Sequence, residues 1–418
     1  MTQGTIEVRT RTRAAVAATY VAQGYGYATV VTALPGLKAR TGIDDTTIAV
    51  VLLLGALLAA TGSVTAERLA RRASSRTAVV AGLLAQAAGL ALVTTATSVP
   101  PLVGAFVVFA LGLGMVDASG NMQGVALQQR VGRSIMSSLF ACLTAAAIAA
   151  ALAQSALANL GTTTGSVVAL LVASVVAAGI ALGARPGLVG ADDDARTAVD
   201  GVPPVPSTVA APVASPAVAR TPLPRAGIWL FGALVAVAFV VDSAVSSWST
   251  VYLHDGLSAS AAVAPLGYAA YQGAVLVARL VGDPLVRRFG RARVAAPTVV
   301  VAAVGLAGVA LVPNPAVAIA GFALAGVGAG TLVPLAFSAA GELVPGRLDD
   351  VVARINLFNY AGALVGAVAL GLLSEVTGLG PAFLVPVVLL APALLLAPRL
   401  GGTPSTGAHD TRADQPRV

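Results

Sequence analysis

Apolar stretches of roughly twenty residues, each long enough to cross a bilayer as a helix, recur twelve times along this chain. They fall at about 14–36, 46–66, 77–97, 101–126, 135–159 and 164–184, then at about 226–251, 261–282, 294–313, 315–340, 354–376 and 380–398. The 418 residues are 57% hydrophobic and 10% charged, with a mean hydropathy of +0.88. A soluble domain carries about 25% charged residues, so a water-soluble core cannot hold this chain. The expected fold is an all-α membrane protein, with 12 transmembrane helices in two pseudo-symmetric six-helix halves. The expected division is a cytoplasmic N-terminal segment (1–13), a first half (14–184), a linker (185–225), a second half (226–400) and a polar tail (401–418). The linker holds Asp192–Asp194 and then a Pro-rich run, which disfavours helix and sheet and predicts a flexible tether.

The net charge of +7 invites a nucleic-acid reading, but the basic residues sit in short segments between apolar runs. If both ends are cytoplasmic, the inside segments hold 22 Arg and the outside loops hold Lys38 and Arg40, with Arg279 left inside the eighth run. The opposite orientation breaks the positive-inside rule nearly everywhere. A bacterial plasma membrane and cytoplasmic termini are therefore expected. Cys142 is the single cysteine, so no internal disulfide forms. His254 and His409 are far apart, no Gly-x-x-x-x-Gly-Lys motif occurs, and Gly112-x-Gly114 lacks the third glycine and the preceding strand of a dinucleotide loop. No cofactor, metal or enzyme activity is expected.

The two halves echo each other. The second run enters Gly62…Glu67-Arg68-Leu69-Ala70-Arg71-Arg72, and the eighth enters Gly282-Asp283-Pro284-Leu285-Val286-Arg287-Arg288-Phe289-Gly290-Arg291. The two Arg pairs are 216 residues apart. Parallel six-helix halves are a transporter architecture. At these residues the chain resembles the major facilitator superfamily, which carries Gly-x-x-x-Asp/Asn-Arg-x-Gly-Arg-Arg/Lys after its second helix. The first copy here has one extra residue, Glu67 for the acid and Ala70 for the second glycine. In the second copy the acid directly follows the first glycine. The stretches from Gly112 to Phe140 and from Asp242 to Asp283 are similar to the YbjJ-type transporters near the fucose/glucose permease branch. That resemblance implies alternating access and a helix 4 acid that couples to protons, and Asp117 stands at that position. The chain departs from the pattern at Phe140 and Ala146, and its first helix carries no acid.

Asp117 is the only acid between Glu67 and Asp192. It precedes Arg130 by 13 residues, which at helical rise places it about 20 Å deeper. A charged Asp at bilayer centre costs about 2.5–3.5 kcal/mol on insertion scales. That cost falls if the carboxyl is wet, bonded or neutral, so Asp117 is expected to exchange a proton. Asn121 lies four residues on, where it can bind solute or orient the carboxyl. Asp242 is the second intramembrane acid, with Ser246 and Ser249 on its stripe and Trp248 a third of a turn away, able to stack on a ring. Polar triples Tyr20/Gln23/Tyr27, Tyr268/Tyr271/Gln272 and Asn356/Asn359/Tyr360 each share one helix face. Any of these residues serves equally well in bonds between helices.

The expected proton-coupling residues are thus Asp117 and Asp242. The expected solute contacts are Asn121, Tyr20, Gln23, Tyr27, Ser246, Ser249, Trp248, Tyr271, Gln272, Asn356, Asn359 and Tyr360. Glu67, Arg71 and Arg72, with Arg279, Asp283, Arg287 and Arg288, are expected to form charge networks that gate the halves. The partners expected are a small polar solute, sugar-like first, then protons and the lipid bilayer. No nucleic acid is expected, and the chain is expected to be a monomer. A proton-driven exporter is the alternative. Such exporters carry Gly-Pro in helix 5, and the run from Ser138 to Leu160 has neither residue. A membrane sensor would need a sizeable soluble domain.

Overall fold

A computed structural model describes residues 3–131, 135–190, 224–341, 343 and 348–401. Its helices are α1 (Gln3–Thr41), α2 (Asp45–Arg72), α3 (Ser75–Thr95), α4 (Val99–Val131), α5 (Met136–Ala156) and α6 (Thr162–Gly183). The second half holds α7 (Arg225–Val251), α8 (Ala264–Phe289), α9 (Arg291–Leu311), α10 (Pro315–Gly341), α11 (Leu348–Thr377) and α12 (Leu384–Leu396). A single helical turn, Leu379–Ala382, precedes α12 and a 3₁₀ turn, Ala397–Gly401, follows it, and together they make the span Leu379–Leu400.

Ten spans among the described residues are long and apolar enough to cross a membrane. The two helices outside that group are α1 and α8, which carry the Tyr/Gln triples that dilute their hydropathy. Several helices overrun the apolar runs that announce them. α1 continues to Thr41, and α11 begins at Leu348. Local chemistry sets other ends: Asp44 caps α2 by accepting from the Thr47 amide at 2.7 Å.

The two halves share their main helix pairings. α1 packs on α4, α5 and α6, as α7 packs on α10, α11 and α12. α2–α4, α3–α4 and α3–α6 are matched by α8–α10, α9–α10 and α9–α12. The halves meet through α5 on α8, α2 on α11 and α1 on α7, which is the pattern a two-fold along the helix axes requires. Gly161 between α5 and α6 has φ +86°, and Gly378 between α11 and α12 has φ +82°. These two turns are 217 residues apart, nearly the spacing of the Arg pairs. Leu57, Val175, Val304, Leu372 and Leu395 are exposed around the outside, an apolar rim suited to lipid.

The bonds that join the halves lie at mid-depth and at the end away from the arginine-bearing loops. Lys38 Nζ reaches Asp45 and Asp255, both at 2.6 Å. Ser374 Oγ donates to Asp45 at 3.2 Å, and the Thr46 amide donates to Glu375 at 3.4 Å. Ser155 Oγ donates to the Ala262 carbonyl at 2.5 Å. This Lys38 end is therefore closed.

The linker begins later than the sequence predicts. Residues 185–187 form a 3₁₀ turn, and Leu188 joins the core beside Val16, Leu127 and Ala181. Buried Gln123 grips the next residue with both ends of its amide: Nε2 donates to the Val189 carbonyl at 3.0 Å, and Oε1 accepts from the Val189 amide at 2.8 Å. Arg76 donates to the Leu188 carbonyl at 2.7 Å. The Pro-rich part of the linker and the polar tail lie outside the described residues.

Candidate functional site

Two polar clusters lie within the bundle, and α1 contributes to both. In the first, Gln23 Nε2 donates to Asp117 Oδ1 at 2.9 Å. One turn away, the Tyr20 hydroxyl donates to Asn121 Oδ1 at 2.8 Å. Asn121 therefore serves Tyr20 and does not orient the carboxyl, which is Gln23's task. The Tyr20 ring stands edge-on to Phe140, with centroids 5.5 Å apart. α4 comes close enough for this pairing because Gly112 and Gly114 leave no side chain against α3 and α2. A Cβ on Gly114 would overlap the Ala59 carbonyl, and Ser63 Oγ donates to the Gly114 carbonyl at 3.1 Å. Asp117 is half-buried, and its charge reaches Tyr360 of α11 in the opposite half.

In the second cluster, the Tyr271 hydroxyl donates to Asp242 Oδ1 at 2.7 Å. Tyr27 of α1 lies within electrostatic reach of Asp242, as does Arg279. Gln272 donates to the Tyr268 hydroxyl at 2.9 Å. Tyr268 is buried in the first half, against Ala28 of α1 and Ala147 and Ala151 of α5. Arg279 is exposed on α8, and no ion pair of its side chain with Asp242 forms.

Several expected solute contacts fall elsewhere. Trp248 is fully buried, its indole N–H donates to the Ala367 carbonyl at 2.8 Å, and its ring lies against Gly371 of α11 and near Ala49 of α2. It anchors helices and offers no face to a solute. Ser249 is also fully buried, with no partner for its Oγ, and Ser246 is buried as well. Tyr271 is sealed and acts as the partner of Asp242. Asn359 is half-buried, and Tyr360 is 53% exposed. The Asn356 side chain lies outside the described residues.

In the gating set, Glu67 pairs with Arg71 on its own helix, and this contact does not cross between halves. Arg72, Arg287 and Arg288 are exposed, and the Arg288 guanidinium sits 5.2 Å from the Phe289 ring centroid. The Asp283 side chain lies outside the described residues. Sequence reasoning missed the Lys38 network altogether. A usable signal was present, because the only two cations of that side share it with Asp44, Asp45, Asp255 and Glu375.

Two six-helix bundles around half-buried acids define a polytopic membrane protein of transporter architecture. The family model of the Major Facilitator Superfamily matches residues 16–322 and 230–416, and the chain belongs to that family. An uncharacterised MFS-type transporter of Yersinia pestis is 28% identical over 390 residues, covering 88% of this chain and 90% of that protein. An uncharacterised transporter of Sinorhizobium fredii is 29% identical over 163 residues, but the match spans only 39% of this chain and 43% of that protein. Among solved structures, the nucleoside transporter NupG superposes with a TM-score of 0.69 at 12% identity, covering 93% of this chain and 98% of NupG. The Escherichia coli fucose:proton symporter FucP superposes at 0.54 with 15% identity, covering 93% and 98%. These likenesses establish the fold. Relatives and fold alike are those of transporters, not enzymes.

Proposed function

We propose that the protein moves a small polar solute, sugar-like first, across the bacterial cytoplasmic membrane by proton-coupled alternating access. In this reading the arginine-bearing loops face the cytoplasm, the Lys38 end faces outward, and the protein works as a monomer. Asp117 is the principal proton carrier and Asp242 the second. The carrying observation is that Asp117 is held by the neutral amide of Gln23. A neutral donor stays satisfied whether the carboxyl is charged or protonated, so proton exchange strands no buried cation. Hydroxyls and amides around the acids suit a hydroxyl-rich solute, and Tyr360 and Asn359 of α11 face it from the second half. Rearrangement of the Glu67–Arg71 and Asp283–Arg287/Arg288 loops accompanies switching. The likeness to NupG, a nucleoside transporter, and to FucP, a fucose:proton symporter, supports a solute of this kind.

The test is uptake of a solute panel into proteoliposomes under an imposed pH gradient. The wild-type protein is expected to accumulate at least one solute. Asp117→Asn is expected to lose gradient-driven accumulation while keeping solute exchange at equal pH. Intact accumulation in Asp117→Asn would remove the coupling role.

A further inference from the structure

Asp242, Ser246, Thr250 and His254 follow one another at four-residue intervals along α7 and the π-helical turn that ends it. That spacing draws a single, slowly winding stripe. At its outer end lies a cavity of about 10 Å³ between the halves, lined among others by Thr32 of α1, Gln154 of α5, Ser166 of α6, Thr250 and His254. Two of these groups are buried and unpartnered: Thr250 Oγ1 and Gln154 Oε1. The Gln154 amide nitrogen is already committed to Ser166 Oγ at 3.1 Å, so its carbonyl lacks a donor from the protein. An unmade bond of this kind costs about 1–3 kcal/mol per group. The volume fits one water, which can donate to Gln154 and bond to Thr250. At the mouth, His254 Nδ1 is 2.7 Å from Asp255 Oδ1, and Asp255 Oδ2 holds Lys38. Asp45 shares the same Lys38 at 2.6 Å, and Glu375 accepts from the neighbouring Thr46 amide at 3.4 Å.

We infer that this cavity is a water site on an outer proton route, and that the stripe loads Asp242 from outside through His254, the trapped water, Thr250 and Ser246. The inference rests on the reading of Asp242 as a proton carrier. Four residues rise about 6 Å, so each hydroxyl-to-hydroxyl step needs an intervening water. The cavity supplies one at the Thr250–His254 step. The Ser246–Thr250 and Asp242–Ser246 steps must each gain a water when the outer end opens, and its closure keeps protons from leaking while the inner side is wet. His254 takes a proton from outside water and releases one to the trapped water. The water and each hydroxyl accept one proton and pass one on. Every intermediate recovers its starting state, and only Asp242 gains a proton.

The test uses the full chain reconstituted in one orientation, outer face to the bulk. The outside is acidified in a jump, and the carbonyl stretch of protonated Asp242 is followed by time-resolved infrared spectroscopy. The band is identified by its loss in Asp242→Asn. Thr250→Val is expected to slow its rise by an order of magnitude with unchanged final amplitude. Thr250→Ser is expected to restore the wild-type rate, and Ser246→Ala and His254→Gln to be slow. A wild-type rate in Thr250→Val, or a Thr250→Ser variant as slow as valine, overturns the route. No Asp242 band in the wild type removes Asp242 as a carrier, and the route with it. A band whose rate ignores all three stripe variants sinks the route alone and leaves Asp242 a carrier.

Discussion

At the scale of single residues, the side chains that touch each other here differ from those that their helices bring near in sequence. Asn121 is four residues from Asp117, yet it bonds Tyr20, while Gln23 reaches the carboxyl from another helix. Periodicity shows that both faces are polar, but the relative rotation of α1 and α4 decides the pairing, and rotation follows from side-chain packing across the whole interface. Trp248 is the clearest case. Its offset from the Asp242 stripe was readable, but only the position of α11 shows that its face is filled by Gly371. Trp248→Ala is expected to destabilise the protein by about 3–5 kcal/mol, and Trp248→Phe by about 1 kcal/mol from the lost indole bond. Thermal unfolding in detergent measures both. Neither change should alter which solutes compete for uptake, because the ring is fully buried between helices. A shift in competition profile would return Trp248 to the solute site.

At the scale of helices, twelve spans were legible because hydrocarbon thickness dictates length and composition together. The apolar criterion fails at α1 and α8, which carry the polar side chains that reach the acids. Low hydropathy within a span therefore marks the cavity side. Gly112 and Gly114 of α4 serve close packing against α3 and α2. Gly114→Ala is expected to push α4 from α2 and cost about 1–3 kcal/mol or more, seen as a lower unfolding temperature and a poorer yield of monodisperse protein. Gly104 faces open space, and Gly104→Ala should be silent in the same assay. The docked start of the linker was not legible, because Gln123 and Arg76 recognise backbone at Leu188 and Val189, and backbone carries no sequence signal.

At the scale of the whole molecule, the halves are held at one end by a cation shared between two carboxylates on different halves. Burial works against the Lys38 charge, but the bonds from Asp255 and Asp45 outweigh it and hold the ammonium above its ordinary value. Stability gained from a raised ammonium is lost as pH rises through the raised value, and it also needs its carboxylate partners ionised, so it is lost again in acid. The Lys38 contribution to closure should therefore persist through neutral and alkaline conditions and fade only above the ordinary lysine range. Distances between spin labels on the α1–α2 and α7–α8 turns report this directly. Lys38→Ala should lengthen them at neutral pH, with a bias of about 1–2 kcal/mol, between the exposed-pair and buried-pair ranges. Lys38→Arg should not restore closure fully, because a planar guanidinium cannot stand in for a compact ammonium with three donors. The chain uses Arg at every other basic position and Lys once, at this place. The molecule consequently carries its own chemical reporter. With the chain's α-amine blocked, any amine-directed acylation or isotopic methylation labels one known atom. The yield of that labelling tracks how often the closure at the Lys38 end is broken, with no engineered probe and no knowledge of the solute.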